Sequence, residues 1–178
     1  MKSSILITGA TGFNGKQIAE QLLLQKKTDI KAIVRGLDKV LPSGIDVLNA
    51  DLIDDASLKT EWFSDVEGVI HCAARVHVLR EESVDPSAEF YKINRDATLN
   101  LAKLAAKSGV KRFVFISTVV VNGNQSKDPF TELDETAPVD AYALSKFEAE
   151  QGLFEIAHNS DMEIVIIRSP LVYGPFAP

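Results

Sequence analysis

Apolar residues in this chain come in short runs that stop abruptly at glycine, carboxylate or hydroxyl residues, and these runs alternate with segments of helical character. The pattern predicts strands over Ile5–Thr8, Ile30–Val34, Asp46–Leu48, Gly68–His71, Arg112–Ile116 and Glu163–Ile167. It predicts helices over Gly15–Lys26, Ala56–Phe63, Pro86–Ser108 and Ala141–His158. Asp85-Pro86 reads as an N-cap followed by proline at the first helical position, and Ser108-Gly109 as a glycine-closed helix end. Arg112–Ile116 is almost wholly apolar, as expected of a strand covered on both faces. Six alternations with short connections imply one α/β domain over residues 1–178, a doubly wound parallel sheet of about six strands with helices on both faces.

In such sheets ligands lie outside the carboxyl ends of the strands, so Gly9, Arg35, Asp51, Ala73 and Ser117-Thr118 should gather on one rim. The first of these ends is the most telling. Thr8-Gly9-Ala10-Thr11-Gly12-Phe13-Asn14-Gly15 joins a strand directly to a helix. Gly9 permits the tight turn, Gly12 leaves room for a diphosphate against the backbone, and Gly15 lets the helix pack closely. The N–H groups of the helix start then face the anion, which makes the fold Rossmann-like and the ligand a dinucleotide.

Composition narrows the setting. With 178 residues, 46% of them hydrophobic, the chain can bury a sizeable core. Cys72 is the only cysteine, so an intrachain disulfide is excluded. The N-terminal apolar run is too short for a signal peptide and no run approaches the ~20 residues of a membrane span, which points to a cytoplasmic protein away from membranes. The net charge of −6 argues against a nucleic-acid partner. His77 and His158 stand alone, and no spacing of His, Cys or carboxylates suggests a metal site. His71 and Cys72 read as core or rim residues, and Asn94 either as support for a site or as a helix-surface residue.

The second half supplies a reaction. Tyr142 and Lys146 lie four apart on a predicted helix, hence on one face. An ammonium beside the phenol is expected to lower its pKa, making Tyr142 a general acid or base as hydride moves to or from a nicotinamide. Thr118, just past a strand, is placed to hydrogen-bond the reacting oxygen.

On these residues the chain resembles the extended short-chain dehydrogenase/reductase family, the NAD(P)-dependent nucleotide-sugar epimerases, dehydratases and reductases. Further matches in order are Asp51-Leu52, His71-Cys72-Ala73-Ala74, Ser117-Thr118 with Val121-Asn122-Gly123, Tyr142 through Lys146, and Arg168 through Pro175. The resemblance implies Thr118, Tyr142 and Lys146 as the catalytic triad. It implies a cofactor set of Gly9, Thr11, Gly12, Phe13, Asn14, Gly15, Arg35, Asp51, Leu52, Ala73, Ala74, Ser117, Tyr142, Lys146 and Pro170. The substrate would be a UDP-sugar altered at C4, by a 4-epimerase or a 4-keto-sugar reductase of surface polysaccharide synthesis, the alternative being a non-catalytic dinucleotide-binding module or an inactive fragment. Asn14, Asn122 and Leu171 depart from frequent family residues, Leu171 replacing an asparagine of galactose-type 4-epimerases. Counting about twenty from Gly15 reaches Arg35, which suits the phosphate of NADP better than the diol of NAD, with Asp38 three residues later, so the cofactor is NAD or NADP with a lean to NADP. Family members commonly dimerise through the helices matching Pro86–Ser108 and Ala141–His158. They also run well past 300 residues, so a C-terminal substrate-binding part is expected to be absent from this chain.

Overall fold

The computed structural model describes residues 3–36, 41–76 and 85–174. Strands β1 (Ser4–Thr8), β2 (Asp29–Val34), β3 (Ile45–Asn49), β4 (Val66–His71), β5 (Arg112–Thr118) and β6 (Glu163–Ser169) form one parallel sheet in the order β3-β2-β1-β4-β5-β6. Every expected strand is present. The order reverses between β1 and β4, and a crevice opens at such a switch point above the strand ends.

The sheet's two-residue period sorts its apolar side chains. Leu6, Val69, Phe113 and Phe115 point to one face and pack with Leu101, Ala105, Ala149 and Leu153 of helices α3 (Ala97–Lys107) and α4 (Ala141–His158). Ile7, Ile30, Ala32 and Val34 point to the other face, against Ala19, Ile18 and Leu22 of α1 (Phe13–Gln25). Helices therefore lie on both faces, but among the described residues the α1 side is covered mainly over β1 and β2. Val165 and Ile167 of β6 are 38% and 45% exposed there. The expectation of a β5 enclosed on both faces is corrected accordingly: Phe113 and Phe115 are buried, whereas Val114 and Ile116 are half-buried.

Two helices differ from expectation. Ala56–Phe63 is not a helix but two short 3-10 turns, Asp55–Ser57 and Thr60–Phe63, with Leu58 and Lys59 extended between them. The Ser57 hydroxyl donates to the Asp51 and Asp54 carbonyls at 2.8 and 2.7 Å, fastening the first turn back onto the loop after β3 in place of a continuing helix. Pro86–Ser108 starts on the Asp85 cap as expected but is interrupted. The turn α2 (Pro86–Phe90) passes into a wide π turn, Tyr91–Asp96, before α3 resumes. Such a bulge turns an extra residue inward, and here that residue is Asn94, fully buried. Leu101 and Ala105 face the core rather than an outer surface. α4 matches its expected span, with Asp140 accepting the Ala143 N–H at 2.7 Å as its cap.

Candidate active site

The glycine turn is built as the motif requires. Gly9 has φ +68°, and a Cβ on it would lie 2.6 Å from the Ala73 nitrogen. A Cβ on Gly15 would lie 2.2 Å from the Gly9 carbonyl oxygen. These two glycines lock α1, the turn and the end of β4 together. Gly12 is different: it is exposed, and a Cβ there would meet only the Gly9 oxygen, at 3.3 Å. Its bareness serves no packing within the chain and leaves a cradle at the start of α1, whose first N–H groups have no intrahelical acceptor. No acidic side chain stands in that first turn. The residues present fit a dinucleotide diphosphate.

The remaining strand ends carry the expected residues along the same rim. Arg35 follows β2 and is exposed, with Gly36 held by the Asn49 side chain at 3.0 Å. Asp51 and Leu52, half-buried, follow β3, and the Asp51 carboxylate accepts the Ile53 N–H at 3.2 Å. Ala73 and Ala74 follow β4, with the Ala73 N–H bonded to Thr8 Oγ1 at 3.3 Å. Thr11 is exposed at the turn, and Pro170 is exposed just past β6. Phe13 and Asn14 line a cleft of about 610 Å3 with Ile116, Ile167, Ser169 and the Val172–Gly174 segment. From β2 to β5 is three strand spacings, about 14 Å, the span from an adenine end to a reacting end. Asp38 and His77 lie outside the described residues.

Beyond the end of β5, Tyr142 lies close enough to Thr118 for that side chain to draw its pKa down, while Thr118 Oγ1 accepts the Val120 N–H at 3.4 Å. Tyr142 is half-buried, with the Phe90 ring edge-on at 6.0 Å. Lys146 is 1% exposed; its Nζ donates to the Ile116 carbonyl at 2.7 Å and stands 3.8 Å from the Phe115 ring centroid. Burial holds the Lys146 pKa down at about 7, against an opposing pull from Glu150 and then Cys72. The Tyr142 phenol is pushed up, first by burial and then by the Asp140 carboxylate, with Thr118 working the other way. The expected lowering by Lys146 is therefore corrected for the protein alone: Lys146 Nζ is directed at the Ile116 carbonyl of β5 and is not among the groups that move the Tyr142 pKa, which burial governs. Ser117 lies beside Thr118, but its hydroxyl points inward and donates to Glu150 at 2.5 Å, and its carbonyl accepts the Ser169 hydroxyl at 3.1 Å.

A second set of residues supports this end. Asn94 Oδ1 accepts the Arg75 N–H at 2.8 Å, and its Nδ2 donates to the Arg75 carbonyl at 3.0 Å and to Ser145 Oγ at 3.1 Å. It thus ties the loop after β4 to the helix of Tyr142. His71 is fully enclosed between Thr8 Oγ1 (2.6 Å from Nδ1) and Thr98 Oγ1 (2.9 Å from Nε2). Thr98 donates to the Asn94 carbonyl at 2.8 Å, so its oxygen accepts from Nε2–H. Nδ1 then accepts from Thr8, whose oxygen takes the Ala73 N–H. Burial keeps this histidine neutral, its pKa lowered to about 3. The Cys72 thiol is pushed up to about 11 by burial. Glu150 and Arg168 were not among the expected site residues. The available signals were a carboxylate four positions past Lys146 on a helix face shared with buried Ala149 and Leu153, and the place of Arg168 in the last matched segment.

Comparison with known proteins agrees with this geometry. The sequence model of the NAD dependent epimerase/dehydratase family matches residues 5–178. A UDP-glucose 4-epimerase of Vibrio cholerae is 42% identical over 98% of this chain and 53% of its own length. The structure of a Bordetella bronchiseptica enzyme in complex with NAD superposes with TM-score 0.76 and 29% identity, covering 94% of this chain and 53% of that one. A Thermotoga maritima UDP-glucose 4-epimerase with UDP-glucose superposes with TM-score 0.81 and 26% identity, covering 93% and 54%. The chain thus spans about half the length of the relatives it matches.

Proposed function

The chain belongs to the NAD dependent epimerase/dehydratase family, and from that membership we propose that it serves an oxidoreductase reaction at C4 of a UDP-sugar, as a 4-epimerase or a 4-keto-sugar reductase in surface polysaccharide synthesis. A bound nicotinamide dinucleotide supplies the hydride chemistry. Gly9, Thr11, Gly12, Phe13, Asn14 and Gly15 would hold its diphosphate, Arg35, Asp51 and Leu52 its adenosine end, and Ala73, Ala74, Ser117, Lys146 and Pro170 the rest. Tyr142 exchanges the proton of the sugar hydroxyl, Thr118 orients the oxygen, and Lys146 supplies positive charge that favours the phenolate when it turns toward the ligand. The single observation that carries this reading is Tyr142 on α4 beside Thr118 of β5, one helical turn before the buried Lys146, in a fold whose first turn holds the bare Gly12 cradle. A homodimer through the outer faces of α3 and α4 is part of the proposal.

NAD is the family's cofactor, and the lean to NADP rests on Arg35 alone. Mass spectrometry of the purified chain for retained dinucleotide, followed by competition of NAD against NADP, decides between them. Turnover is tested with UDP-glucose and with a 4-keto UDP-sugar. An epimerase consumes no net cofactor, whereas a reductase consumes one per product. Tyr142→Phe is expected to lower turnover by at least about a hundredfold while dinucleotide affinity stays within a few-fold. Equal turnover in both proteins would remove Tyr142 from its role, and binding without turnover in either identifies a dinucleotide-binding module.

A further inference from the structure

One ion pair next to the site, its carboxylate buried and its guanidinium partly so, has no part in the proton and hydride steps. Glu150 lies on α4 one turn beyond Lys146 and is only 2% exposed. It accepts the Ser117 hydroxyl at the end of β5. Arg168, at the end of β6, grips the same carboxylate through Nε at 3.2 and 3.1 Å and through Nη2 at 2.6 Å. Its Nη1 donates to Asn122 Oδ1 at 3.1 Å, and Asn122 donates on to the Asp134 and Glu135 carbonyls. One carboxylate thus joins α4, both strand ends and the loop after β5. Ser117 sits between Thr118, the neighbour of Tyr142, and Ile116, whose carbonyl accepts from Lys146.

Burying such a pair costs desolvation, so stability alone is a weak reason for it. The groups facing Lys146 give a better one. His71, at the end of β4, is neutral, and Cys72 beside it keeps its proton at neutral pH. β5 offers Lys146 only a carbonyl and a ring face. Among the described residues Glu150 is the full negative charge acting on Lys146. We propose that Glu150 is a positioning residue: clamped by Arg168, it fixes Ser117 beneath Thr118 and supplies the charge that keeps Lys146 an ammonium. This rests on the reading above that Lys146 works in its charged form.

The test uses the whole chain with 13C at the lysine Cε, the Lys146 signal being assigned by its loss in Lys146→Met. Glu150→Gln keeps the shape and a hydrogen-bonding group but removes the charge. It should lower the Lys146 titration midpoint by about one pH unit, a tenfold change in the proton equilibrium. Glu150→Asp, which keeps the charge, should return the midpoint most of the way. A purely structural role predicts two destabilised variants with the wild-type midpoint, and a folded Glu150→Gln protein with that midpoint overturns the proposal. If Glu150→Gln does not fold, the pair Glu150→Met/Arg168→Met leaves no lone buried charge, and its midpoint is expected to fall likewise; an unchanged value overturns the proposal. Calorimetric titration of the wild-type chain with NAD and NADP separates the two readings. A shifted midpoint in a chain that binds neither sinks the proposed function and leaves the role of Glu150 standing.

Discussion

Gly12 and Gly15 are three residues apart, yet a methyl group at each meets different surroundings. At Gly15 it would press on the Gly9 carbonyl oxygen at 2.2 Å, a backbone clash expected to cost about 1–3 kcal/mol of stability. At Gly12 it projects from an exposed position, so Gly12→Ala should fold with stability within about 0.5 kcal/mol of wild type and lose dinucleotide binding. Thermal melts and calorimetric titration of the two variants check the contrast; loss of stability in Gly12→Ala would mean that the bare position serves packing. His71 gives a pH prediction. Its pKa is lowered from 6.5 to about 3 by burial, so the unfolded chain binds a proton that the native one refuses. Between these values stability rises with pH, and acidification below 6.5 removes it progressively. Denaturant melts from pH 7 to pH 4 should show this loss, flattened in His71→Gln. The residue types of the glycine turn and the shared face of Tyr142 and Lys146 were legible in the sequence because spacing alone puts the two on one side of a helix and a glycine at each close approach. Glu150 and Arg168 were not, because their pairing joins α4 to β6 across the sheet and no local period reports it.

At the scale of elements, α4 was legible to the residue. Asp140 caps its start, and a run free of glycine and proline up to Gln151 carries it on to His158. That cap also faces the reacting phenol, which gives it two separable effects. Asp140→Asn keeps a capping oxygen while removing a charge that raises the Tyr142 pKa, so stability should hold and the phenol should titrate lower. Asp140→Ala should lower that pKa too and cost about 1 kcal/mol in addition. Ultraviolet titration of phenolate and a denaturant melt on each variant read the two effects apart. The elements that sequence pattern misjudged were those governed by side chains bonding to distant or competing backbone. The Ser57 hydroxyl bonds back to the Asp51 and Asp54 carbonyls, and the chain leaves that turn extended at Leu58 and Lys59. Asn94 bonds both backbone groups of Arg75, and the chain around it opens into a π turn within an otherwise continuous apolar period.

For the whole molecule, the parallel sheet places Gly9, Arg35, Asp51, Ala73 and Ser117-Thr118 on one rim, because each strand runs the same way and ends in the same direction. The same sheet leaves β6 as an edge paired only with β5, with Val165 and Ile167 presented on a face that α1 does not cover. Open apolar edges pair with other chains. Concentration-dependent self-association is therefore expected, and Val165→Lys should reduce it without lowering the melting temperature, as light scattering and a thermal melt would show. An unchanged association state would assign it to another surface. By itself the sequence determined the fold class, the strand ends and the residue types at the glycine turn and on α4. It could do so because hydrophobic period and backbone permissiveness are local properties of the chain. The tertiary structure decided the ionisation of Tyr142, Lys146 and His71 and the partners of Ser117 and Glu150, because desolvation and hydrogen-bond geometry depend on what the fold brings from 18 or more residues away.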